Sequence, residues 1–243
     1  MTLEDNLHSV QERMAAAAAR AGRDPAEVTL VAVTKTQPPE VIRASYDLGL
    51  RHFGENRVEE AEAKLGGLPE DINWHMIGHI QSRKAKRVVP LFHLVHSVDS
   101  VKLARRLDRL CEDRQEPFPI LLECNVSGEA AKYGFAAQAW SEDKTQRDEL
   151  LLAVRDIVAL PNLQIRGLMT MAPIVADPEE TRPVFVRLRE LRDMFSQAFP
   201  GADWQHLSMG MTDDFEVAIE EGATLVRVGR AIFAPGAEIW CKI

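Results

Sequence analysis

A lysine closes the first strongly apolar run of the chain. Residues 28–35 read VTLVAVTK, and Thr-Gln-Pro-Pro follows. An amine at the end of an apolar strand is expected to be partly desolvated. Desolvation disfavours the ammonium form and leaves a nucleophile for condensation with a carbonyl. The plainer alternative for Lys35 is a stem packed on the core with its charge reaching water. A second cluster lies far along the chain. Ser208-Met209-Gly210-Met211-Thr212-Asp213-Asp214 leads into FEVAIEEG, and Gly229-Arg230 opens a short AIFAP segment. Hydroxyls at Ser208 and Thr212, with backbone N–H groups left approachable by Gly210 and Gly229, are donors that suit a phosphate. Turn and capping duty is the commoner role of such residues. Asp213 and Asp214 are assigned to capping the next helix, because carboxylates beside a phosphate would repel it. In LVRVG, strand alternation puts Leu225, Arg227 and Gly229 on one face and Val226 and Val228 on the other. An inward guanidinium needs a partner, either a carboxylate such as Glu55 or Glu123 or an acceptor on an aromatic ring.

The surrounding elements must bring these clusters together. From Val28 onward, short β-like runs alternate with helical stretches, and strands are expected at 28–35, 51–55, 73–79, 93–98, 119–126, 164–172, 204–209 and 224–229. Several are nearly continuous apolar runs, as in a parallel sheet covered on both faces. An N-terminal helix is expected from Leu3, Leu7, Val10, Met14, Ala17 and Ala21 on one face, with Thr2 and Asp5 as a capping box and Gly22 as the stop. A long helix is expected at about 178–199, capped by Asp177, and another begins near Asp99. Eight such repeats in 243 residues fit one α/β domain over 1–243, a (β/α)8 TIM barrel with an extra N-terminal helix. A doubly wound open sheet would use fewer repeats, and its glycine fingerprint is missing. TIM barrels carry their sites at the C-terminal ends of the strands and often hold phosphate after strands seven and eight. That rule selects Lys35, Glu55, Asn56, His79, Asn125, Met171, Ser208 and Gly229.

Composition narrows the classes. With 29 basic against 37 acidic side chains and a net charge of −8, neither nucleic acid nor an anionic membrane is an expected partner. Arg83, Lys84, Lys86 and Arg87 read as the solvated face of a helix. Cys111, Cys124 and Cys241 are odd in number and widely spaced, so a reducing, cytoplasmic setting is expected. No signal peptide or membrane-length apolar run is recognised. His75 and His79 lack a supporting carboxylate motif and read as cleft histidines, so no metal site is expected. Lys132, in a loop beside Tyr133 and Gly134, is the rival amine to Lys35 and is expected to be exposed and protonated.

Taken in order, AVTKTQP, GENRVEE, WHMIGHIQSRK, HSVD, Lys132-Tyr-Gly, GLMTMAP, LSMGMTDDFEVAI and VRVGRAIFAPG run over 31–236. Together they resemble the YggS/PROSC family of pyridoxal 5′-phosphate (PLP) homeostasis proteins. The resemblance implies a fold type III barrel like the N-terminal domain of alanine racemase, with PLP as cofactor on Lys35 as a Schiff base. It further implies Asn56 as a cofactor contact and Ser208, Thr212 and Gly229 as phosphate contacts. Arg227 would face the pyridine nitrogen, and Met209 and Arg230 would contribute through backbone or loop contacts.

An arginine beside the pyridine nitrogen disfavours ring protonation and so weakens the ring as an electron sink. Racemisation also needs bases on both faces of a carbanion. In alanine racemase-like enzymes one of them is a tyrosine from another subunit, placed with the aid of a C-terminal β domain. Here only Tyr46 and Tyr133 exist, and about a dozen residues follow the last strand. The expectation is therefore a monomeric PLP carrier with no catalytic residue, delivering to apo PLP-dependent enzymes. A PLP-dependent amino-acid racemase is the alternative, and a Schiff-base aldolase without PLP a third.

Overall fold

A computed structural model describes residues 2–233. Its first element shows how directly local chemistry sets the ends. Helix α1 (Leu3–Arg20) starts where Thr2 Oγ1 accepts from the Asp5 N–H and the Asp5 carboxylate accepts from the Thr2 N–H, and it stops at Ala21 before Gly22 turns left-handed at φ +66°. There follow β1 (Thr29–Val33), α2 (Pro39–Asp47), β2 (His52–Glu55), α3 (Val58–Leu65), β3 (Asn73–Met76) and α4 (Ala85–Val88). Next come β4 (Leu94–Val98), α5 (Val101–Leu110), β5 (Phe118–Asn125), β6 (Phe135–Ala136), α6 (Lys144–Val158) and β7 (Leu163–Met169). The series ends with α7 (Arg182–Ala198), β8 (His206–Ser208), α8 (Phe215–Glu220), β9 (Leu225–Val228) and α9 (Arg230–Phe233).

The strands β1-β2-β3-β4-β5-β7-β8-β9 pair in parallel, and β9 returns to β1, closing an eight-stranded TIM barrel with the helices outside. The eight expected strands are these eight. β6 is an addition of two residues laid on β5 outside the ring. Three expected strands run too far. β1 stops at Val33, so Thr34 and Lys35 lie beyond it, β3 stops at Met76, short of His79, and β7 stops at Met169, short of Met171. The expected helix at 178–199 opens as a tight 3-10 turn, Pro178–Thr181, capped by Asp177 through the Glu179 N–H. The helix near Asp99 is capped by Ser100, whose hydroxyl accepts from Leu103 N–H.

Strand alternation sorts side chains into two shells. Phe53, Phe118, Phe185, Phe195 and Phe215 belong to the large core between sheet and helices, while Val31, Leu94, Leu121, Met169 and Leu225 form a small apolar cluster inside the barrel. The same inward faces also carry His75, His96, Glu123, Ser208 and Arg227, all buried. Helix α1 is strapped to the end of the ring. Arg13 binds Glu216 at 2.8–2.9 Å, Arg23 donates to the carbonyls of Ile219 and Ala223, and Asn6 donates to that of Ile232.

The basic cluster is matched by acids of α3, with Lys84 and Arg87 paired to Glu59 and Arg87 also to Glu62. Cys111 and Cys124 are free and buried, whereas Cys241 and Gly236 fall outside the described residues. No helix among the described residues is long and apolar enough to cross a membrane.

Candidate functional site

β8, β9, β1 and β2 are consecutive in the ring, so the residues beyond their C-terminal ends share one sector of the rim. Lys35, Asn56, the 208–214 loop and Gly229 all lie there. Gly229 packs on β1 itself: a Cβ added to it would come within 3.2 Å of the Val33 carbonyl oxygen, two residues before Lys35.

The expected desolvation of Lys35 does not hold. Because β1 ends early, the lysine sits in an exposed turn. The next residue, Thr36, has φ +65° and is the one non-glycine with positive φ among the described residues. For a β-branched residue that conformation is strained by roughly 1–2 kcal/mol. Its N–H reaches the Glu60 carboxylate at 3.4 Å. The strand end beneath is pinned by a cluster not foreseen from sequence. Lys64 Nζ donates to the Thr34 carbonyl at 2.8 Å and to Glu55 Oε1 at 2.9 Å, and the Thr34 hydroxyl donates to the same carboxylate oxygen at 2.7 Å. Glu55 is fully buried, its other oxygen has no partner, and burial raises its acid despite these bonds.

Glu55 therefore faces outward to α3 and is not the partner of Arg227. Arg227 is 5% exposed. Its Nη1 donates to Ser208 Oγ at 2.6 Å and its Nη2 to the Thr170 carbonyl at 2.8 Å. No carboxylate among the described residues forms a contact ion pair with it. Burial lowers its pKa to about 10, opposed by the charges of Asp214 and Glu123. Glu123 stands on the inner face of β5, across the barrel interior from β9, with one oxygen unpartnered. Burial first, then Asp99, pushes its acid up to about 7 against the pull of Arg227.

Ser208 is buried, with its hydroxyl held between Arg227 and His96 Nδ1, the latter at 2.8 Å. Thr212 is half-buried, and its hydroxyl accepts from the Ala231 N–H at 3.5 Å, so it stands at the first turn of α9. Gly210 takes φ +91°, and an added Cβ would lie 2.6 Å from that of Ala218. Met209 is withdrawn, because its N–H bonds the Leu225 carbonyl and its side chain is buried in the core. The capping expected of Asp213 and Asp214 is not found. Asp214 occupies the cap position of α8, but its carboxylate turns back to the Met211 N–H at 2.6 Å, and Asp213 pairs with the exposed Arg230. That pair occupies the Arg230 side chain. Asn56 is exposed, and its carbonyl is crowded by Gly78, where an added Cβ would lie 2.1 Å away.

The mouth continues over β3 to β5. His79 Nδ1 lies 2.9 Å from Asp99 and its ring stacks on Tyr133 at 3.8 Å, walling a cavity of about 430 Å³. His79 thus has the carboxylate partner its sequence context did not suggest. Lys132 is not the free loop amine that was expected, since Glu129, the Met171 carbonyl and the Ser127 hydroxyl engage its Nζ.

Comparison with known proteins agrees with this geometry. Residues 6–235 match the family described as the alanine racemase N-terminal domain. A pyridoxal phosphate homeostasis protein of Pseudomonas aeruginosa is 43% identical over 235 residues, covering 96% of this chain and 95% of the relative. Its counterpart in Aquifex aeolicus is 40% identical over 230 residues, covering 94% and 96%. The structure of PipY from Synechococcus elongatus with PLP bound superposes with a TM-score of 0.76 at 36% identity, covering 96% of this chain and all of PipY. Barrel, rim and relatives together make this chain a member of the pyridoxal phosphate homeostasis protein family, built on the alanine racemase N-terminal domain.

Proposed function

We propose that this protein holds PLP at the β8-β9-β1-β2 rim, with Lys35 as the Schiff-base residue, and acts as a PLP carrier in homeostasis. The observation that carries the proposal is Arg227. It is a buried guanidinium held by a hydroxyl and a carbonyl, with no carboxylate in contact. Two of its N–H groups are engaged there, and the donors left over suit a neutral acceptor such as a pyridine nitrogen. A permanent cation at that spot keeps the ring nitrogen unprotonated. The naming of close relatives and the PLP-bound PipY support the same assignment.

Bound PLP would supply an aldehyde and an electron-accepting ring. The residues of this chain supply the rest. Lys35 presents its amine from an exposed turn, open to an aldehyde arriving from solution or leaving for an acceptor. Thr212 and the backbone around Gly229 and Ala231 offer donors to a phosphate. Ser208 accepts from Arg227, and Asn56 borders the same sector. Met209, with its side chain in the core, and Arg230, paired with Asp213, would contribute through backbone or loop contacts. We place the chain, as one barrel unit and a monomer, in the cytoplasm, with apo PLP-dependent enzymes as acceptors.

Borohydride reduction in the presence of PLP, followed by peptide mapping, tests the assignment. The tag is expected on Lys35 and is lost in Lys35→Ala. A tag on Lys132, or none, overturns it. Transfer of PLP to an apo-enzyme, without interconversion of any single-enantiomer amino acid, is the result expected of a carrier. Racemisation abolished by Lys35→Ala would make the protein an enzyme instead.

A further inference from the structure

The barrel interior contains a hydrogen-bonded line that the rim chemistry does not use. His52 Nδ1 lies 2.9 Å from His75 Nε2, His75 Nδ1 lies 2.8 Å from His96 Nε2, and His96 Nδ1 lies 2.8 Å from Ser208 Oγ. Ser208 Oγ in turn receives Arg227 Nη1. His52 opens β2 at the barrel floor. The register sets Gly54 beside His75, and His75 beside Leu94. The rings therefore climb from strand to strand before the line crosses the interior from β4 to β8.

From this line we infer that His52, His75 and His96 are positioning residues for the Ser208 hydroxyl, acting as one tautomer-coupled relay between the barrel floor and the anion-binding rim. The inference rests on the rim taking a phosphate ester, as proposed above.

The coupling follows from counting donors. A neutral imidazole has one donor and one acceptor nitrogen, and a protonated one has two donors. His75 and His96 are buried, and burial holds His75 down to about 3 and His96 well below the usual range, so both rings are neutral. Their neighbours are His93 and His206 towards the floor and Arg227 at the mouth, and these also disfavour added positive charge. Both nitrogens of His75 and of His96 lie within the line, so neither ring can change tautomer alone without setting two donors or two acceptors face to face. Two arrangements satisfy every contact. In the inward one, Ser208 donates to His96, His96 to His75 and His75 to His52, with all three rings protonated at Nε2. In the outward one, His52 donates to His75, His75 to His96 and His96 to Ser208, with all three protonated at Nδ1.

The difference falls on Ser208. Inward, its only proton is spent on His96. Outward, its oxygen accepts from both Arg227 and His96, and its O–H is free for an acceptor at the rim. An anion there therefore selects the outward arrangement. The change moves one proton across each of the three hydrogen bonds, releases the His52 Nε2 proton at the floor and takes one up at the Ser208 oxygen. The charge of the line is unchanged.

Nitrogen NMR of ring-labelled histidine in the whole protein, assigned with His75→Gln and His96→Gln, reads this directly. His75 and His96 are expected to share one tautomer, and both are expected to exchange their Nε2–H signals for Nδ1–H signals when PLP is added. The exchange should persist in Ser208→Thr and vanish in Ser208→Ala. Opposite tautomers in the PLP-free protein would overturn the relay. Unchanged tautomers in a sample where borohydride tags Lys35 would also overturn it while leaving the carrier assignment intact. Failure to tag Lys35 would instead remove the carrier assignment, with the shared tautomer of the free protein still testing the coupling.

Discussion

Replacing Glu123 by glutamine is expected to stabilise the protein at alkaline pH and leave it unchanged in acid. Glu123 lies inside the barrel, 6% exposed, with one oxygen lacking any partner. Burial and the nearby Asp99 hold its acid up to about 7 from an ordinary 4.5. The folded state therefore binds a proton that the unfolded chain has already lost between pH 4.5 and 7. Across that window the contribution of Glu123 to stability falls as pH rises. Each tenfold change in proton affinity is about 1.4 kcal/mol, so keeping this carboxylate charged at pH 8 costs the fold roughly 3 kcal/mol. Glutamine keeps the shape without the charge. Urea unfolding of both proteins at pH 4.5 and pH 8 measures the difference. The variant should match wild type at the lower pH and exceed it by up to about 3 kcal/mol at the higher one. Buried histidines such as His75 add the opposite slope, since their unfolded forms bind the extra proton below pH 6.5, but they contribute equally to both proteins and cancel. A variant less stable at pH 8, or a difference that does not vary with pH, would show that Arg227 stabilises the Glu123 charge more than burial opposes it.

Removing Lys64 as Lys64→Ala should destabilise the protein by about 3–5 kcal/mol in denaturant unfolding, because Glu55 is left as a buried charge without its cation. The double variant Lys64→Met with Glu55→Gln should recover most of that loss. Gly167→Ala should abolish soluble folded protein by circular dichroism, since Gly167 has φ +141° and an added Cβ would sit 1.9 Å from the His206 carbonyl oxygen on β8. Ser208→Ala should weaken PLP binding measured by absorbance titration, because Arg227 loses one of its two acceptors, a hydrogen bond to a charged group of about 1.5–3 kcal/mol.

Alternation within a single strand was enough to place Arg227 inside the barrel, because the period of two in LVRVG admits only one inward set once Gly229 faces the rim. The same alternation turns His52 inward on β2, His75 on β3 and His96 on β4. Their line was still not legible, because it depends on the stagger between strands and on β4 facing β8 across the interior. Neither quantity is written in any one segment. Lys35 does follow β1 at the C-terminal rim, but its surroundings differ from the expectation: the apolar run suggests a strand through residue 35, whereas the pairing ends at Val33 and the lysine falls in a turn. Nothing in AEAKL distinguishes Lys64 from a solvated helix cation. Only the packing of α3 on the ends of β1 and β2 turns it into the counter-charge of Glu55. For Asp214 the cap position was right and the bond was wrong, because a backbone N–H three residues earlier competes for the same carboxylate.

The strapping of α1 to α8 and α9 has a consequence for how the chain folds. Residues 3–20 are synthesised well before the surfaces that bury Leu7, Val10, Met14 and Ala17, which are made some 200 positions later. Contacts of such wide sequence separation are slow to form. Through most of synthesis this oily stripe has no native partner, and it is the segment for which a holdase or a neighbouring nascent chain would compete. Docking of α1 is then a late event of assembly, and β8 and β9 must be in place before it can occur.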